Sequence, residues 1–211
     1  MKAIFKREVK SYFTGMIGWV IAAVRLVFLG LYYTNRNLLY ASSDFASVLY
    51  TMTMILLFLL PAISMRSFAE DRRNKTDQLL LTSPVSIPGI VLGKFFAMAA
   101  VFALPCAVDA VMIFILWALG GTVSALLANL AGLLCYFLLG CAAIALCEFL
   151  SGLTENQIIA AVAGFSALLL AYLMPSLRSM FNAGSAVALA VFTGIAGAAS
   201  LAAGLRTRSF V

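Results

Sequence analysis

Six long apolar stretches dominate this chain, and the solvent they suit is a bilayer. A hydrocarbon core of about 30 Å needs roughly 20 apolar residues to be crossed by a helix. Stretches at approximately 15–34, 47–65, 90–119, 124–147, 157–174 and 185–205 qualify. No segment between them is long enough to form a sizeable soluble domain. Composition agrees: 64% of the residues are apolar and 10% are charged, against about half and a quarter in soluble domains. That balance excludes an ordinary soluble enzyme and a disordered chain alike. The sequence predicts an all-α polytopic membrane protein, a single domain over residues 1–211 with six transmembrane helices. The third stretch exceeds a simple span, so its first turns are expected in the interface before the chain turns inward.

Basic residues give the bundle a direction, because cytoplasmic loops carry the excess of lysine and arginine. With the N-terminus inside and six spans alternating, Lys2, Lys6, Arg7, Lys10, Arg66, Arg72, Arg73, Lys75, Lys94, Arg206 and Arg208 fall on the cytoplasmic side. Only Arg36 and Arg178 fall outside, and Arg25 lies within the first span. The expectation is a multi-pass protein of the cell's inner (cytoplasmic) membrane with both termini cytoplasmic. Nucleic acid is not an expected partner despite the net charge of +6, since such a binder would gather its basic residues on one exposed face. The basic start resembles a signal peptide. The apolar run behind it is near span length, carries Arg25 and has no clear small-x-small cleavage site, so it is read as an uncleaved first span.

Helix ends carry local signals. Thr154-Glu155-Asn156-Gln157 reads as a capping box opening the fifth span. Ser86-Ile87-Pro88 reads as an N-cap followed by proline in the first turn of the third, with Pro84 breaking the helix before it. Pro61 and Pro105 lie inside spans and are expected to bend them. Cys106, Cys135, Cys141 and Cys147 lie in or beside apolar runs and read as small buried hydrophobes. There is no histidine, no C-x-x-C and no clear nucleophile–base or paired-carboxylate arrangement. Histidine-ligated zinc is therefore excluded, no metal site is expected, and the chain is not expected to be an enzyme.

Between the second and third spans lies the most informative segment. Its charged half runs from Arg66 to Asp77, and Leu79-Leu80-Leu81 and Pro84 follow. Helical phasing places Phe68 and the leucines as the apolar positions of a short amphipathic cytoplasmic helix. Such a helix either lies passively on lipid or docks a cytoplasmic partner. Its mixed charge favours docking, because a lipid binder would be mostly basic.

The run Arg66-Ser-Phe68-Ala-Glu70-Asp-Arg72-Arg73-Asn-Lys75-Thr76-Asp-Gln-Leu79-Leu80-Leu81-Thr82-Ser83-Pro84-Val85, followed by Gly93-Lys94-Phe95, resembles the cytoplasmic segment of ABC-2 type transporter permeases. Leu153-Thr154-Glu155-Asn156-Gln157-Ile158-Ile159-Ala160 is similar to the gliding-motility permease subgroup, and the N-terminal residues Phe5 to Phe13 also fit. The chain departs from the pattern between the fifth and sixth spans, where only residues 175–185 remain for an external segment. The resemblance implies the permease subunit of an ATP-driven exporter. It implies two permease chains, identical or related, and a separate cytoplasmic ABC ATPase subunit that holds the ATP. No cofactor is expected on this chain itself. The amphipathic segment then becomes the coupling helix, with Arg66, Phe68, Glu70, Arg72, Arg73, Thr76, Leu79 and Leu80 as the ATPase-coupling residues. An ATPase site of its own is not expected: Gly89-Ile-Val-Leu-Gly93-Lys94-Phe95 has one residue too few between its glycines for a phosphate loop and no Ser/Thr after the lysine. The rival class is a non-transport membrane scaffold or assembly factor.

Two ionisable groups fall inside spans, Arg25 and Asp109. Such groups are costly in lipid and mark functional candidates by default. They either pair across helices and fix the packing, or line a substrate path, or Arg25 snorkels alone. Glu148 reads as an interfacial residue at the inner end of the fourth span. Ala186, Ala190, Gly194, Ala198 and Ala202 recur every fourth residue in the sixth, which suits close packing within the monomer or a dimer seam.

Overall fold

The computed structural model describes residues 2–40, 42–65, 87–154 and 156–181. Among them there is no strand. Five helices are long and apolar enough to cross a membrane: Gly18–Leu39, Ala46–Ser64, Pro88–Ala118, Val123–Gly152 and Gln157–Ser176. The expected sixth span with its small-residue stripe, and the expected coupling helix, lie outside the described residues. Contacts divide the chain into two units, Met1–Leu168 and Leu169–Val211. The second is represented among the described residues by helical residues 169–181 alone.

The first unit opens with a helix that hydropathy does not announce. Helix α1 (Lys2–Thr14) carries the basic N-terminal residues and packs on two of the later helices. It meets α2 (Met16–Tyr33) at Gly15, whose extended backbone interrupts the helix. The corner is tight. A Cβ on Gly18 would sit 2.6 Å from the backbone oxygen of Tyr12, so only glycine allows this approach. The Trp19 indole N–H donates to the Phe13 carbonyl at 2.9 Å across the same corner. Helix α2 runs without a break into a π-helical turn, Thr34–Leu39, so the first span reaches further than the 34 at which the sequence ended it.

Helix α3 (Ala46–Ser64) turns Val48, Leu49, Met52, Leu56, Leu57, Leu60 and Ile63 inward. That three- and four-residue spacing is one face of a helix. Tyr50, Met54 and Phe58 on its other side are exposed, as lipid-facing side chains of a span should be. Helix α4 (Ile87–Ala118) corrects the sequence reading: it is one continuous helix of 32 residues, with no turn inward after its first turns. Pro88 stands where a missing N–H breaks no hydrogen bond, and α4 carries on through Pro105. At its far end Gly120 takes a positive φ of 115°, a conformation glycine adopts freely. Thr122 then caps α5 (Val123–Gly152) by accepting from the Ala125 N–H at 3.3 Å.

Helix α6 (Gln157–Phe181) starts two residues later than the capping-box reading placed it. The side chain of Asn156 accepts from the Ile158 N–H at 3.0 Å, so Asn156 is the cap. Thr154 Oγ1 accepts from the Asn156 N–H at 3.2 Å and shapes the turn before it. Within the first unit, Phe165 of α6 packs on Phe58 of α3, their ring centroids 4.9 Å apart. A Cβ on Gly164 would lie 3.3 Å from Cys147 Sγ and 3.4 Å from Pro61. Small residues at such contacts let membrane helices approach closely. All four cysteines are free. Cys106 and Cys147 are buried as expected, Cys141 is partly so, and Cys135 is exposed.

Candidate functional site

In the middle of the first unit, Arg25 of α2 and Asp109 of α4 meet. Both are buried, at 3% and 0% exposure. The guanidinium presents two nitrogens to the carboxylate, Nη2 to Oδ2 at 2.5 Å and Nη1 to Oδ1 at 3.3 Å. This fork geometry suits arginine to a carboxylate better than lysine. The Phe102 and Tyr136 rings lie 5.7 and 5.4 Å from the guanidinium carbon, within reach of the cation–π attraction. Cys106 Sγ is 3.9 Å from Nη2. The cavity beside Arg25 holds about 10 Å³, the scale of a single water. The pair is thus enclosed in packed protein, and it ties α2, α4 and α5 together at one level. Gly140 of α5 makes room for this, because a Cβ there would run into the Phe102 ring.

Nearer the ends of the helices, a second polar group collects around α1. The Tyr12 hydroxyl donates to the Ile63 carbonyl at 3.2 Å, one residue before α3 ends at Ser64. Glu8, one turn earlier on α1, faces the Lys94 ammonium of α4 at 3.5 Å. Lys94 is 2% exposed. Segment 66–86, which carries Arg66, Phe68, Glu70, Arg72, Arg73, Thr76, Leu79 and Leu80, lies outside the described residues. Its two stems are described, and one short helix bonds to both of them. Sequence reasoning missed this role of α1, because neither a tyrosine nor a Glu–Lys pair separated by so much chain carries a local signal.

Glu148 stands four residues from the end of α5, near the span end as the sequence reading has it, but the packed helices bury it to 4% exposure. Its Oε1 makes no hydrogen bond, and Lys94 and Glu8 are the charges acting on it. The ammonium of Lys94 lies 3.5 Å from Glu8, and among the described residues none forms an ion pair with the Glu148 carboxylate.

At the opposite ends of these helices, Asn129 of α5 holds the connection into α3. Its Oδ1 accepts from the Phe45 N–H at 3.1 Å and its Nδ2 donates to the Ser43 carbonyl at 2.8 Å. Asn37 donates to the Ser42 and Asp44 carbonyls at 2.7 and 3.2 Å. Two buried amides thus satisfy a non-helical backbone that lipid would not.

A family model described as "ABC-2 family transporter protein" matches residues 11–201. The chain belongs to that family. No curated protein matches it. As an ABC-2 family member it is a multi-pass membrane protein and a permease component of a transporter. Permeases of this family are not themselves catalytic, and they generally work in a bilayer with a cytoplasmic ATPase. No group of histidines, cysteines or carboxylates able to hold a metal occurs among the described residues.

Proposed function

We propose that this ABC-2 family permease is the membrane half of an ATP-driven exporter of the gliding-motility permease type, energised by a separate cytoplasmic ATPase. Two such chains, identical or related, enclose the path in the inner membrane, with their termini and segment 66–86 on the cytoplasmic side. The family match over residues 11–201 carries the reading. The geometry of α1 supports the way force would enter. A displacement of segment 66–86 pulls on Ile63 and Lys94, and both are bonded to one rigid helix. The Arg25–Asp109 fork then passes the movement between α2 and α4. ATP, bound by the partner, shifts the population between inward- and outward-open forms through contacts that differ in the two states.

The test is at segment 66–86. Its charges form exposed pairs worth about 0–1 kcal/mol each, whereas a leucine fully buried in a partner's groove contributes roughly 1.5–3 kcal/mol. Replacing Leu79 and Leu80 with serine should detach the ATPase and leave the permease in the membrane. Reversing Arg72 and Arg73 to glutamate should weaken assembly less, and in a salt-dependent way. ATPase recovered with the tagged permease is measured, with ATP hydrolysis in proteoliposomes beside it. Full recovery and undiminished coupled hydrolysis in the leucine variant would refute docking through this segment.

A further inference from the structure

A groove of about 560 Å³ runs between α4 and α5 on the side of the membrane where segment 66–86 joins the bundle. Its walls are Val91, Leu92, Phe95, Phe149 and Leu153, and Glu148 stands among them. Val91, Leu92 and Phe149 are 40%, 44% and 61% exposed, so the groove opens sideways toward lipid. We propose that this groove is a phospholipid site, and that the carboxylate of Glu148 selects a headgroup bearing a primary ammonium, as in phosphatidylethanolamine.

Three observations converge on that chemistry. The first is charge. Glu148 is buried, has an oxygen with no hydrogen-bond donor, and lines the groove. A carboxylate in that state costs several kcal/mol unless a cation or donor reaches it, and among the described residues none pairs with it. The second is depth. Helix α5 has 30 residues, about 45 Å, which is the thickness of a bilayer including its headgroups. Glu148 lies four residues from its end, about 6 Å in, where headgroups meet acyl chains. The third is polarity. Glu148 sits in the last turns of α5, where unpaired carbonyls and the helix dipole favour a cation. An acyl chain can then lie along Leu92, Phe95 and Phe149. The site is independent of the ATPase reading: it needs only that these helices span a bilayer.

The full-length chain, purified in a mild detergent, is incubated with an equimolar mixture of dioleoyl phosphatidylethanolamine, phosphatidylcholine and phosphatidylglycerol. Retained lipid is counted by native mass spectrometry. Phosphatidylethanolamine should be retained about tenfold over phosphatidylcholine, the ratio expected when a donor to a charged group is gained. Glu148→Gln should bring that ratio close to one. Leu92→Trp, which fills the groove without touching the charge, should lower retention of all three lipids. If Glu148→Gln does not fold, the unaltered chain still decides. Retention should fall stepwise as the ammonium is methylated once, twice and three times, and a flat series overturns the proposal. An unchanged preference in Glu148→Gln overturns it too. So does efficient disulfide linkage of two chains through Leu92→Cys, which would seat a second copy in the groove. Failure of segment 66–86 to bind an ATPase would leave these outcomes unmoved.

Discussion

Replacing Asp109 with leucine should harm this protein more than replacing Arg25 with leucine, although the two residues share one ion pair. Each is the other's countercharge among the described residues, and both are buried. Asp109→Leu leaves a guanidinium that does not give up its proton in proteins. Arg25 stands seven residues inside the span that opens at Gly18, about 10 Å along the axis. Its cavity has room for one water at most, so hydration cannot replace the lost carboxylate. Arg25→Leu leaves a carboxyl group instead, which can bind a proton and become a neutral donor. Removing one member of a buried pair costs about 3–5 kcal/mol, so Asp109→Leu should fall at the upper end and Arg25→Leu at the lower. The double leucine variant has no charge to bury, and apolar replacement of a whole buried pair is often close to neutral. It should therefore lose less than either single change, with a coupling energy of at least about 3 kcal/mol, the top of the range usual for residues in contact. Trp19 and Trp117 report the unfolding, followed by fluorescence as sodium dodecyl sulfate is titrated into mild-detergent micelles. Additivity within about 0.5 kcal/mol, or a larger loss in Arg25→Leu than in Asp109→Leu, would refute the reasoning.

Other expectations are more local. Cysteine tags near residues 36, 121 and 180 should react with an impermeant reagent added outside, and tags near 75, 152 and 208 should not; external labelling near 75 overturns the orientation. Gly18→Ala forces a methyl against the backbone oxygen of Tyr12. It should displace α1 and cost about 1–3 kcal/mol, read as a lower thermal midpoint, while Gly30→Ala, which meets no neighbour, should be neutral or slightly stabilising. Asn129→Ala removes a buried acceptor and donor from the Ser43–Phe45 backbone. At about 1–3 kcal/mol for each group left unsatisfied, it should raise the rate of proteolysis at residues 42–45, and an unchanged rate would show that water replaces the amide.

What hydropathy could decide about this chain, it decided from within each segment. The stretches near 47–65, 90–119, 124–147 and 157–174 correspond to α3, α4, α5 and α6, with α5 and α6 running on to Gly152 and Phe181, because length and apolarity are properties a span carries by itself. The resemblance of three short motifs to ABC-2 permeases was legible for the same reason, and the family match agrees with it. The sequence also singled out Arg25 and Asp109 as anomalous, since a charge inside an apolar run needs no partner to be noticed. It did not choose among pairing, lining a path and snorkelling. That choice belongs to the packing, which brings together side chains 84 positions apart and closes two rings over them.

The remaining functional features had no sequence signal strong enough to find them. Helix α1 is too polar for a hydropathy window, and its bonds to both stems of segment 66–86 join residues 51 and 86 positions apart in the chain. Glu148 lies near a span end, so hydropathy assigns it to the interface; only the helices packed round it bury it. Asn129 and Asn37 read as minor polar interruptions until the non-helical backbone they satisfy is placed beside them. Transfer free energy is a property of one side chain and its solvent, so the sequence determined which segments enter the bilayer. Burial, countercharge and hydrogen-bond partner are properties of neighbours distant in the chain, so the tertiary structure alone decided that Arg25 and Asp109 pair and that Glu148 faces a groove.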